Sequence, residues 1–100
     1  MAWLPILEYR DFHDVPRLVL VQTEGRYLLL DCPFDTDLDD YPPAYDVYEL
    51  DADPRRTVGA DWRELPARGG RLGRVPVESI AFDSTRREAI GPGGLASLLR

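Results

Sequence analysis

The chain has 100 residues, 44% of them hydrophobic, and a formal net charge of −6. That length fits one globular domain burying roughly 60–70% of its unfolded surface, enough for a core without staples. A single cysteine excludes an internal disulfide framework, and no stretch approaches the roughly 20 apolar residues needed to span a bilayer.

The start, MAWLPILEYRDF, lacks a basic n-region and its apolar run ends at Glu8, so no signal peptide is expected. The expected compartment is a reducing cytoplasm. The sequence contains no Lys and no Asn, and all twelve basic residues are Arg. Codon bias in a GC-rich, bacterial-type genome accounts for this, so the arginines are not read as selection for phosphate. Charge is uneven. Residues 1–50 carry eight Asp and three Glu against three Arg, a net of −8; residues 51–100 carry four Asp and three Glu against nine Arg, a net of +2. The acidic half repels nucleic-acid phosphates and attracts basic partners.

In chain order, the first predicted strand is Trp3–Arg10. Arg10–Arg17 reads as a polar inter-strand loop holding the only histidine, His13. A His among carboxylates has the ingredients of a base oriented by an acid, but a single His specifies little. The second strand, Arg17–Thr23, turns at Glu24-Gly25, where Gly25 supplies positive φ, into the third, Arg26–Cys32. With that loop, Thr23 opposes Arg26, Val21 opposes Leu28, Val19 opposes Leu30 and Arg17 opposes Cys32. Both faces of this hairpin are apolar, so it is expected to be central and covered on both sides. A helix, a terminal segment or a second subunit would supply the second cover.

Asp31–Tyr48 holds six aspartates, the cysteine and a PPAY tetrapeptide. Asp35, Asp37 and Asp39 match positions 1, 3 and 5 of a calcium loop and Asp46 position 12, but Asp40 stands where the loop requires Gly. Aspartates solvating a turn are the plainer reading. Cys32 reads as a small core hydrophobe, since Asp31 and Asp35 would raise its pKa rather than activate it. Pro42-Pro43 read as a rigid lead-in to a fourth strand, Tyr45–Leu50.

Asp61-Trp62-Arg63-Glu64 has a capping-box pattern that Pro66 limits to about two helical turns. A fifth strand is expected near Glu78–Phe82, then a helical turn after Asp83. Arg86-Arg87 there read as an exposed first turn rather than an anion site. Gly91, Gly93 and Gly94 form no phosphate-loop motif and read as a flexible hinge before Leu95, Leu98 and Leu99 at helical spacing.

The expected fold is mainly β: a small antiparallel sheet or partly open SH3-like barrel of about five strands with short C-terminal helices. The alternative is an α+β two-layer sandwich with residues 61–70 and 84–99 on one face. Two function classes compete. In the first, a non-enzymatic interaction domain uses an acidic, tyrosine-rich edge (Asp35, Asp37, Asp39, Asp40, Tyr41, Tyr45, Tyr48) to meet a basic protein partner, a second copy of the chain included. In the second, a metal-binding protein or metal-dependent hydrolase uses the aspartate loop with His13. No catalytic set, cofactor, nucleic acid or membrane is assigned.

Overall fold

A computed structural model describes residues 3–13, 15–51, 62, 69–82, 89–91 and 93–98, without the side chains of Asp11, His13, Ala96 and Ser97. Seven strands form one open antiparallel sheet: β1 (Leu4–His13), β2 (Val15–Thr23), β3 (Arg26–Asp31), β4 (Ala44–Leu50), β5 (Gly70–Pro76), β6 (Ala81–Phe82) and β7 (Ala89–Gly91), in the spatial order β5-β4-β3-β2-β1-β7-β6. A single 3₁₀ turn (Val77–Ser79) follows β5, and one short helix, α1 (Leu95–Leu98), follows β7. No helix of the described residues is long and apolar enough to cross a membrane.

The β2–β3 hairpin has the expected register, Thr23 opposite Arg26, Val21 opposite Leu28 and Val19 opposite Leu30, and Cys32 N–H donates to Arg17 O at 2.7 Å. Its turn has positive φ at both central residues, Glu24 (50°) and Gly25 (76°). That is the type I′ pattern, whose twist matches the flanking strands.

Leu20, Val21, Leu28, Leu29 and Leu30 have no exposed surface, because the hairpin is covered on both faces. Val19, Val21, Leu28, Leu30, Cys32, Tyr45, Val47 and Val75 form the first core with Ile80, Ile90 and Leu95. Leu18, Leu20, Leu29 and Leu50 form the second with Trp62, which is 4% exposed. The guanidinium of Arg10 lies 4.0 Å over the Trp62 ring, a cation–π contact sealing the indole. The second cover therefore comes from the same chain, and burying that face requires no second subunit.

Several expectations are corrected. Residues 10–13 and 15–17 belong to β1 and β2, with His13 opposite Val15, so the expected loop shrinks to the link between two strands. Polar residues extend those strands because strand hydrogen bonds use the backbone, whatever the side chain. Strands β5 and β7 were not anticipated. The predicted strand Glu78–Phe82 is a 3₁₀ turn followed by the two-residue β6. The described residues carry seven strands rather than about five, and their sheet has two open edges, β5 and β6. The proposed hinge is a tight turn: Gly93 has φ of 45°, and a Cβ there would meet the Ser79 carbonyl. Apart from Trp62, the predicted helix at Asp61–Glu64 lies outside the described residues, as do the turn after Asp83, Arg86-Arg87 and Leu99.

Candidate functional site

The acidic stretch folds back on itself. Asp35 N–H donates to Asp40 O at 2.9 Å and Asp40 N–H to Asp35 O at 3.3 Å, closing a four-residue loop, Thr36–Asp39. Asp35 Oδ1 accepts from the N–H groups of Asp37 (2.9 Å) and Leu38 (3.3 Å), an Asx turn in which the side chain caps local backbone donors. Asp39 adopts φ of 52°, a left-handed conformation that Asp tolerates better than most residues. Asp37, Asp39 and Asp40 stand exposed around Leu38, itself 59% exposed.

Behind the loop, Phe34 meets Tyr41 edge to face with ring centroids 5.2 Å apart, and the Arg17 guanidinium lies 4.4 Å over the Tyr41 ring. Arg17 Nη1 also donates to Cys32 Sγ at 3.7 Å, and the Cys32 thiol donates to Pro42 O at 3.2 Å. Burial pushes the thiol pKa up, opposed by Arg17 and reinforced by Asp31 and Asp46. The chemistry is that of a core thiol, not a thiolate nucleophile.

The seven predicted site residues do not share one surface. Asp35, Asp37, Asp39, Asp40 and half-buried Tyr41 belong to the loop and its root. Tyr45 does not join them. It is 2% exposed, packs in the first core and donates its hydroxyl to Pro16 O at 2.6 Å. Tyr48 packs beside the second core, on the opposite face of β4. The reason is strand parity: Tyr45 and Val47 point one way, Asp46, Tyr48 and Leu50 the other. Asp46 is met by Arg71 at 3.1 Å and Arg74 at 3.5 Å from the neighbouring strand.

Nor do the aspartates enclose a cation. Asp35 is committed to its own turn and Asp46 to the arginines. Among the described residues no three His, Cys, Asp or Glu side chains gather to hold a metal. The His13 side chain lies outside the described part.

Beside the loop root lies a groove of about 620 Å³, lined by Arg17, Asp40, Tyr41, Pro42, Pro43, Ala44, Pro76, Val77 and Glu78. Pairing of β4 with β5 sets Ala44 opposite Pro76, and Val77 N–H donates to Pro43 O at 2.8 Å. One wall is thus tied to the other. A smaller cleft of about 290 Å³ lies between Phe34, Asp35, Asp46 and Arg74.

No family model, curated protein or solved structure matches the chain. Function therefore rests on the site itself. The sequence reading missed Arg17, Phe34, Leu38 and the Pro76–Glu78 wall. Phe34 and Leu38 were legible as apolar residues inside an acidic run. The wall was not, because only the β4–β5 pairing brings it to the loop.

Proposed function

We propose that the chain is a non-enzymatic protein-interaction domain whose acidic loop and its aromatic root engage a basic protein surface, a second copy of this chain included. The observation carrying this reading is the closed Asp35–Asp40 loop, which carries exposed Asp37, Leu38, Asp39 and Asp40 in succession and follows Phe34, 49% exposed. Exposed apolar residues interleaved with carboxylates are the composition of a surface that steers a cationic partner and then buries area against it. The net +2 of residues 51–100 gives a second copy the complementary charge. Tyr41 contributes at the loop root, and the reading no longer uses Tyr45 or Tyr48. It assigns the domain to a reducing cytoplasm of bacterial type.

The finer fold reading is a partly open barrel. Support comes from α1, which follows β7 near one sheet edge yet places Leu98 against Gly73 of β5 at the other. A Cβ at Gly73 would approach Leu98 Cδ2 to 2.8 Å.

The test combines sedimentation velocity with titration of a labelled Arg-Leu-Arg-Leu-Arg peptide, at about 20 and 500 mM NaCl. Association weakened by salt and by the double variant Asp37→Asn/Asp39→Asn supports the reading. Absence of both self-association and peptide binding, or binding insensitive to salt and to both substitutions, removes it.

A further inference from the structure

We infer that the groove between the loop root and the Val77–Ser79 turn is a peptide-binding subsite that receives an arginine-bearing, extended segment of a protein other than this chain. This rests on the interaction reading above and locates where one partner side chain is held.

Four observations lead there. The groove, about 620 Å³, lies within the roughly 300–1,000 Å³ range of ligand clefts. Its walls are tied by Val77 N–H to Pro43 O at 2.8 Å, and its floor by the Cys32 thiol to Pro42 O at 3.2 Å, so the shape exists before a ligand arrives. Its apolar surface comes from Tyr41, Pro42, Pro43, Pro76 and Val77, side chains with little conformational freedom to lose on contact. Finally, exposed carboxylates stand on two different elements, Asp40 on the loop and Glu78 on the 3₁₀ turn.

Charge selects the occupant. Among the described lining residues the one cation, Arg17, lies over the Tyr41 ring and donates to Cys32 Sγ, so its guanidinium is held at the groove's edge. Among the described lining residues Asp40 and Glu78 outnumber it, and Asp35, Asp37 and Asp39 add to the negative field nearby. An anionic ligand is therefore disfavoured. A guanidinium suits the site better than an ammonium, because its fork offers donors to two separate acceptors while its flat face lies on the proline surfaces. The proline and valine surfaces leave room for a small apolar neighbour of that arginine.

The decisive experiment is amide-resolved NMR titration of ¹⁵N-labelled full chain with the probe acetyl-Ala-Pro-Arg-Val-amide, and with the same peptide carrying neutral citrulline in place of arginine. The expected result is saturable shifts at Ala44, Val77 and Glu78 that citrulline abolishes. Asp40→Asn and Glu78→Gln should each weaken binding roughly three- to fivefold, as for an exposed ion pair, with unshifted amides elsewhere showing an intact fold. Shifts confined to Thr36–Asp39 would overturn the subsite while leaving the acidic-loop reading standing. Equal binding of the citrulline peptide, or no shifts with either peptide, would also overturn it. So would groove shifts that grow with protein concentration alone, which assign the groove to a second copy.

Discussion

The hydroxyl of Tyr45 donates to the carbonyl of Pro16 across 2.6 Å of buried space, tying the start of β4 to the start of β2. Its burial pushes the phenol pKa from 10.0 up to about 12. Replacing Tyr45 by Phe should cost about 0.5–1.5 kcal/mol at neutral pH, because the buried hydroxyl-to-carbonyl hydrogen bond is lost. The pH dependence has a definite sign. The folded-state pKa is raised, so the unfolded chain releases this proton first, and stability present below pH 10 is lost as pH rises towards 12. The gap between wild type and Tyr45→Phe should therefore narrow over that window. Urea titrations followed by near-ultraviolet circular dichroism measure it, and a gap that widens with pH contradicts the assignment.

Glu24 occupies the first position of the β2–β3 turn with φ of 50°, a conformation costly for a residue whose side chain makes no local turn bond. Glu24→Asn should stabilise the domain by about 0.5–1 kcal/mol, since Asn-Gly is the preferred type I′ pair. For a domain this size that is a rise in Tm of roughly 2–8 °C. A neutral or destabilising result would mean that Glu24 makes a compensating contact, and the charge-preserving Glu24→Asp would separate the two causes.

The parts of the fold that were readable are those where local pattern and burial agree. The hairpin register followed from one Glu-Gly turn and uninterrupted apolar residues on either side. Strand β5, Gly-Arg-Leu-Gly-Arg-Val-Pro, shows no alternation because it lies at a sheet edge. Between Gly73 and Arg71 its register slips, so Leu72 has no partner on β4. Strand β7 has three residues and is recruited by β1 through Leu4 and Pro5, a contact no local pattern encodes. In the site, the aspartates were correctly seen as turn-forming. The tyrosines misled because Tyr41, Tyr45 and Tyr48 are neighbours in sequence but lie on a loop root and two opposite strand faces.

Cys32 has no exposed surface, and burial raises its pKa. Reaction with a neutral thiol reagent therefore requires opening of the first core, and native labelling should run roughly a hundredfold or more slower than labelling in denaturant. Arg17 Nη1 donates to the sulfur at 3.7 Å, and replacing it by Gln should speed native labelling by loosening the groove floor. Prompt labelling of the native chain would show that the floor opens readily and would weaken the case for a preformed groove.

Metal binding gives the sharpest separation between the two function classes. The Asp35 carboxylate is occupied by the amides of Asp37 and Leu38, and Asp46 faces Arg71 and Arg74. Claiming these groups for a cation would break the turn that closes the loop or strip two ion pairs. A cation at a hundredfold excess over its Kd would stabilise the fold by about 2.7 kcal/mol, several degrees of melting temperature. After EDTA treatment, Ca²⁺, Mg²⁺, Mn²⁺ and Zn²⁺ should each move the melt by less than about 1 °C. Asp35→Ala should instead lower it with or without metal, by about 0.5–1.5 kcal/mol, because the capped amides lose their acceptor. A rise with one ion alone, abolished by Asp37→Asn, would transfer the loop from partner recognition to metal chemistry.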